Sequence, residues 1–186
     1  MASLLTHPIV PLAAAALVAR SVVPWPLVAL GAVFSLLPDV DGIAFRLGIP
    51  YASPFGHRGF SHSLVAAAFF AALAVPFARA LSARPIAVFL FLFVAMASHG
   101  VLDACTDAGL GVAFFWPWSN ERIFFDFRPI EASPVSARRF FSARGWEVFQ
   151  SELIWVWTPL LSLALLGYLV RSKVATCASR AKAGSA

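Results

Sequence analysis

The chain has 186 residues, 60% hydrophobic and 12% charged, where soluble domains carry roughly 25% charged and roughly 45–50% apolar residues. That excess, with eighteen phenylalanines and six tryptophans, excludes an ordinary soluble domain and predicts an integral membrane protein. The net charge of +5 does not point to nucleic acid, because the basic residues form no dense stripe and scatter between apolar runs, as topology signals do.

Residues 8–19 form a short apolar run, interrupted by Arg20 and the Pro24–Trp25–Pro26 turn and resumed over 27–37. Prolines so close together oppose one continuous helix. The expected element is a short N-terminal helical hairpin whose two ends emerge on the same side. Each arm is shorter than the ~20 residues a spanning helix needs. No Lys or Arg precedes the first run, so the segment reads as retained rather than cleaved as a signal peptide.

Residues 38–61 read as a polar loop opened by Gly42, Gly48, Pro50, Pro54, Gly56 and Gly59. A third helix is predicted over 63–78, capped by Ser61, and a fourth over 86–102, after a turn bracketed by Arg79 and Arg84. Residues 104–150 are mixed, aromatic and charged. Their Trp116–Pro117–Trp118 element suits the headgroup level of a membrane, and Arg138, Arg139 and Arg144 read as a solvated face or a contact to anionic lipid. A last helix covers 153–170. The basic tail from Arg171 is expected to be disordered. The fold class is therefore all-α: a polytopic membrane protein of about five hydrophobic helices, with a single embedded domain at 1–170 and a tail at 171–186. No P-loop or dinucleotide glycine pattern occurs.

Charge orients this scheme. The turns at 20–26 and 79–85 and the tail carry Arg20, Arg79, Arg84, Arg171, Lys173, Arg180 and Lys182 and no acid, while all nine acidic residues fall on the other side. The positive-inside rule then places the C-terminus in the cytoplasm and the polar loop on the periplasmic or exterior face of an inner membrane. Cys105 and Cys177 fall on opposite sides, which forbids a disulfide between them, and no CxxC exists.

The polar residues of the expected outer face are not scattered. Asp39 and Asp41 sit where the second arm leaves the membrane, His57 and His62 where the third helix enters it. His99 and Asp103 are four apart on the fourth helix and share a face. His7 emerges at the same level. Every histidine in the chain thus converges, with three carboxylates, on one layer. Imidazole and carboxylate together suit zinc, manganese or iron. So many candidates suit one ion with a supporting shell, or two ions that clamp a phosphoester. On this reading Asp39, His57, His62, His99 and Asp103 bind metal, with His7 a further candidate. Asp41 bridges, orients or acts as base, and Arg58 faces a substrate anion.

Each pair also has a plain explanation. Asp-x-Asp after a proline is often a turn, a lone interfacial histidine is often only hydrogen-bonded, and His99 and Asp103 can simply bond each other. Ionisable groups at membrane depth are costly and tend to be functional, and the conjunction carries the metal reading.

The segments LLPDVDG, HRGFSHS, SHGVLDACTDAG and FFWPWS resemble the YdjM-like family of inner-membrane proteins, described as predicted metal-dependent hydrolases, over roughly residues 4–170. The resemblance implies that His7, Asp39, Asp41, His57, His62, His99 and Asp103 are the family's polar positions; the serine of GFSHS stands where threonine is common. The expected function is metal-dependent hydrolysis at the outer membrane–water interface, with a divalent ion, first of all zinc, as cofactor. Membrane lipids are the expected partners, phosphoester or lipid-linked molecules the expected substrates, and nucleic acid is not expected. The alternatives are a non-catalytic metal-binding or transport protein, and a structural protein whose polar cluster only fastens helices. Transport sites lie near mid-membrane on broken helices, whereas these residues cluster at helix ends.

Overall fold

The computed structural model describes residues 1–134 and 140–183, with side chains described to Lys173. Arg138 and Arg139 of the expected basic face lie outside the described residues. Helix α1 (Ile9–Leu17) and helix α2 (Trp25–Phe34) form the expected hairpin. Pro26 sits in the first turn of α2, where its missing N–H costs nothing.

The segment after α2 differs from expectation. Residues Leu37–Gly42 form a 3-10 helix that continues into α3 (Ile43–Arg46). Pro38 occupies its first turn, so the proline that reads as the start of a loop starts a tighter helical segment instead. Asp39 and Asp41 are therefore held on helical backbone.

A 3-10 turn at Phe60–His62 leads into α4 (Leu64–Ala74), which ends in a further turn at Val75–Phe77. The cap of α4 is Ser63, whose Oγ accepts from Ala66 N at 3.0 Å. Ser61, expected in that role, donates instead to Asp41. Helix α5 (Pro85–Ala104) is the longest regular span before the C-terminus. Val88, Leu92, Met96, His99 and Asp103 form its buried stripe, while Leu90, Val94 and Val101 are exposed. A helix apolar on its exposed face as well as its inner one is built for lipid.

Ala66, Ala67, Ala71 and Ala74 are buried on α4. Small residues let α4 and α5 approach closely where lipid gives no hydrophobic drive. Gly100 extends this: a Cβ there would sit 3.1 Å from the His62 carbonyl oxygen.

Helix α6 (Ala143–Glu152), a π-helical turn (Leu153–Trp157) and helix α7 (Thr158–Ala183) form one continuous rod. Pro159 cannot donate to the carbonyl of residue 155, which accounts for the irregular turn; Thr158 Oγ1 donates to Leu153 O at 2.7 Å. The rod begins before the expected 153–170 helix and its backbone stays helical to Ala183, where disorder was expected from Arg171. Among the described residues three segments are long and apolar enough to cross a membrane: Trp25–Arg46, Pro85–Ala104 and Ala143–Lys173. Among the described residues there is no strand, only two isolated bridges, Thr106 with Ile130 and Val112 with Ile123. The fold is a helical membrane protein, as its composition predicts.

The two turns at 18–24 and 78–84 share one hydrophobic cluster, to which they contribute Val23, Ala78 and Leu81 and α5 contributes Val88. Arg171 donates to the Ala16 carbonyl at the same end. The basic turns and the C-terminal helix therefore share one end of the bundle, and the histidines occupy the other.

Candidate metal centre

Four segments deliver ligand atoms to one point. The 3-10 helix carries Asp39, the turn before α4 carries His62, the inner face of α5 carries His99 and Asp103, and the N-terminal segment carries His7. His99 Nε2 lies 3.3 Å from Asp39 Oδ1 and 3.9 Å from Asp103 Oδ2. His62 Nε2 lies 3.9 Å from Asp39 Oδ1 and 3.6 Å from Asp103 Oδ2. His7 stacks on His99 with ring centroids 3.6 Å apart, and its Nε2 is 3.9 Å from Asp103 Oδ1.

Only the 3.3 Å separation comes within reach of a hydrogen bond, and His99 Nε2, His62 Nε2 and the Asp39 oxygens make none. Ligands about 2.0–2.2 Å from a tetrahedral ion lie roughly 3.3–3.5 Å apart, close to what is observed. Buried polar atoms are normally satisfied. Here both Asp39 oxygens, His62 Nε2, His99 Nε2 and both His7 nitrogens have no hydrogen-bond partner. Orphaned lone pairs from four segments, converging in a buried site, fit a divalent cation.

The remaining ring nitrogens are fixed by neighbours. His99 Nδ1 is 2.7 Å from Ser35 O, an acceptor only, so Nδ1 carries the proton and Nε2 presents its lone pair. His62 Nδ1 lies 3.1 Å from Asp41 Oδ2 and 3.0 Å from Ser61 Oγ. Both arrangements are the outer-shell contacts that orient metal-ligating imidazoles.

Asp41 is saturated. Its Oδ1 meets His57 Nδ1 at 2.6 Å, and its Oδ2 accepts from Ser61 Oγ at 2.5 Å and Arg58 N at 3.1 Å. The seven expected ligand residues thus form two groups that share His62: Asp39, His62, His99 and Asp103, with His7 beside them, and Asp41, His57 and His62. His57 lies among Phe45 and Tyr51, with centroids 5.4 and 5.3 Å away.

Arg58 departs from expectation. It is fully buried. Its Nε donates to Asp103 Oδ2 at 2.9 Å, its Nη2 to Thr106 Oγ1 at 2.9 Å, and its Nη1 to the carbonyls of Ala108 and Leu110 at 3.2 and 2.9 Å. Four of its five N–H donors are thus engaged by protein acceptors, and the side chain is buried. Its φ of 61° lies in the left-handed region that a long side chain seldom adopts. A Cβ at Gly59, the next residue, would overlap the Pro54 carbonyl, so this sharp turn needs glycine. The strain aims Arg58 inward to hold Asp103.

Burial disfavours charge on His62, but the Asp103 and Asp41 carboxylates at its two nitrogens outweigh it and push its pKa up to about 9. Burial first, and the stacked His99 imidazole second, push His7 down to about 3.

Sequence reasoning missed Glu152. It is fully buried and accepts from Ser3 N, from Ser3 Oγ at 2.6 Å and from Thr6 Oγ1 at 2.8 Å. Trp157 Nε1 donates to Thr6 Oγ1 at 2.8 Å. These bonds strap the N-terminal segment, and with it His7, to the C-terminal rod. The available signal was an acid at the mouth of an apolar span.

The chain matches the YdjM inner membrane protein family over residues 1–175. It belongs to that family. It is also 39% identical over 170 residues to the inner membrane protein YbcI of Escherichia coli strain K12, covering 91% of this chain and 97% of that protein. No solved structure matches. Membership and the apolar spans agree on an inner-membrane location.

Proposed function

We propose that this YdjM-family protein is a membrane-bound metal-dependent hydrolase acting on phosphoester or lipid-linked substrates. The observation that carries the reading is the set of unpartnered, buried ligand atoms on His7, Asp39, His62 and His99. Zinc is the first candidate, since two imidazoles and carboxylates form its usual catalytic donor set; manganese and iron accept the same donors. Such an ion, when bound, supplies Lewis acidity toward a phosphoryl or acyl oxygen and activates water near neutral pH.

The chain's own residues have distinct roles in this proposal. Asp39, His62 and His99 bind the ion, with Asp103 or His7 completing the set. Asp41 is a positioning residue for His62, and Arg58 is a positioning residue for Asp103. His57 meets Asp41 at Nδ1 and is a positioning residue for that carboxylate. A second ion between Asp41, His57 and His62 would compete with the hydrogen bonds that already fill Asp41, which favours one ion.

The charge distribution supports an outward-facing site. The basic turns and the Arg171 end of the C-terminal helix lie opposite the histidines, and the positive-inside rule favours a cytoplasmic C-terminus and a periplasmic centre.

The test is metal content of the detergent-purified protein beside a His62→Ala/His99→Ala variant, followed by assays on phosphoesters. About one equivalent of ion per chain, lost in the variant, and metal-dependent turnover are expected. Stoichiometric metal with no turnover on any ester would leave a non-catalytic metal-binding protein. No metal after reconstitution would leave a network that only fastens helices.

A further inference from the structure

Asp39 also lines a cleft of about 570 Å³, together with Gly42, Ile43, Phe45 and Arg46. The Asp39 side chain is 5% exposed and both its oxygens are buried without partners, so the inner wall of an otherwise apolar cleft is backed by a ligand-bearing side chain. Arg46 lies at its rim. It is exposed, and among the described residues no hydrogen bond or ion pair holds it. That sets it apart from Arg58 and Arg122, which are tied to protein acceptors.

Arg46 is flanked by Ile43, Phe45 and Leu47, all exposed. A guanidinium among lipid-facing apolar side chains is stable only where it reaches the headgroup layer. Anionic phosphate is the counter-charge there, and guanidinium matches it with a two-pronged donor pattern.

A second cavity of about 350 Å³ adjoins the first across Ile43. Its walls include Leu47, Phe60, Phe70 and Met96, with Asp41 and Ser61 at the polar edge. Both volumes fall in the range of small-molecule sites, roughly 300–1,000 Å³. An apolar trough that begins at the metal-site residues and ends among lipid-facing side chains fits a hydrocarbon chain better than a water-soluble ester.

We propose that the substrate is a lipid phosphate: its phosphate is held between the metal centre and Arg46, and its chain lies in the trough behind Ile43. This rests on the hydrolase reading, because Asp39 and Asp103 repel an anion unless a cation offsets them.

The test uses a non-hydrolysable long-chain alkylphosphonate with a diazirine near the chain end, added to zinc-loaded full-length protein in phosphatidylcholine nanodiscs. Photoadducts are expected on Leu47, Phe60, Phe70 or Met96. Excess phosphatidic acid should compete at far lower concentration than inorganic phosphate, and diacylglycerol should not compete. Arg46→Gln removes one charge-assisted contact and should cut labelling about tenfold. Ala44 is buried in the wall of the trough, and Ala44→Phe should fill it and do the same; Leu47→Gln, at an exposed position, gives a second variant if Ala44→Phe fails to fold.

Adducts spread over distant exposed residues such as Phe77 and Leu165, labelling indifferent to Arg46→Gln, or inorganic phosphate competing as well as phosphatidic acid would overturn the inference. Turnover of a soluble aryl phosphate alongside any of those results would leave the hydrolase reading standing. Site-specific labelling by a protein that binds no metal would overturn both the hydrolase reading and the phosphate subsite, since nothing would then offset Asp39 and Asp103.

Discussion

Asp41 Oδ2 lies 3.1 Å from His62 Nδ1, while the other nitrogen of the same ring faces Asp39 and Asp103 without a hydrogen bond. Asp41 therefore acts on the centre through His62 and not by direct contact. Losing such an outer-shell carboxylate typically costs 10- to 100-fold in metal affinity. Asp41→Asn should weaken zinc binding by about that much in a chelator-competition titration, leaving a folded protein. His62→Ala should lose far more. Equal losses in the two variants would place Asp41 among the direct ligands, and an unchanged affinity would dismiss its role.

The same residue sets a pH dependence. With its pKa at about 9, His62 holds a proton at neutral pH in the metal-free protein, and a cation must displace it. Zinc affinity should rise as pH increases toward 9, with uptake releasing about one proton, measurable by calorimetry in buffers of different ionisation enthalpy. Stability runs the other way. A folded-state pKa above the ordinary ~6.5 stabilises the metal-free fold fully below pH 6.5, and this is lost as pH rises through about 9. The thermal midpoint of chelator-treated protein should fall across that window, and the metal-loaded protein's should not. A flat midpoint in the chelated protein would show that His62 is already neutral.

Glu152 couples the ends of the chain. Removing its carboxylate strands three buried donors on Ser3 and Thr6, and hydrogen bonds to a charged acceptor are worth about 1.5–3 kcal/mol each. Glu152→Ala should destabilise the protein by at least about 3 kcal/mol, with Glu152→Gln, which keeps one acceptor oxygen, losing less. Zinc affinity should also drop, because His7 is no longer fixed against His99. Scanning calorimetry and metal titration in the same detergent read the two effects separately. Normal stability in Glu152→Ala would mean that the strap contributes little.

The residues that could be read from sequence are those whose chemistry is conspicuous in an apolar chain. Four histidines and three aspartates stood out against composition, and the i, i+4 spacing alone put His99 and Asp103 on one face of α5. Pro38 misled because proline both ends a helix and starts one, and only the backbone on its C-terminal side decides which. The Ser63 cap was displaced by two residues, within the usual blur of helix ends. Glu152 and the inward turn of Arg58 were invisible for another reason: both depend on partners far along the chain, Ser3 and Thr6 in one case and Thr106 to Leu110 in the other.

Arg58 offers the sharpest separation between expectation and structure. A substrate-facing arginine would tolerate loss of its side chain without loss of fold, and the variant would show only a raised KM. The buried Arg58 holds Asp103, Thr106, Ala108 and Leu110 with a planar set of donors that a lysine cannot reproduce. Arg58→Lys keeps the charge beside Asp103 but leaves the loop carbonyls unpaired, and should cost about 2 kcal/mol or more. Arg58→Gln, which removes the charge and leaves Asp103 buried without its ion-pair partner, should cost about 3–5 kcal/mol. Thermal unfolding in detergent ranks wild type above Arg58→Lys above Arg58→Gln on this account. Three equal midpoints would return Arg58 to the substrate side of the site.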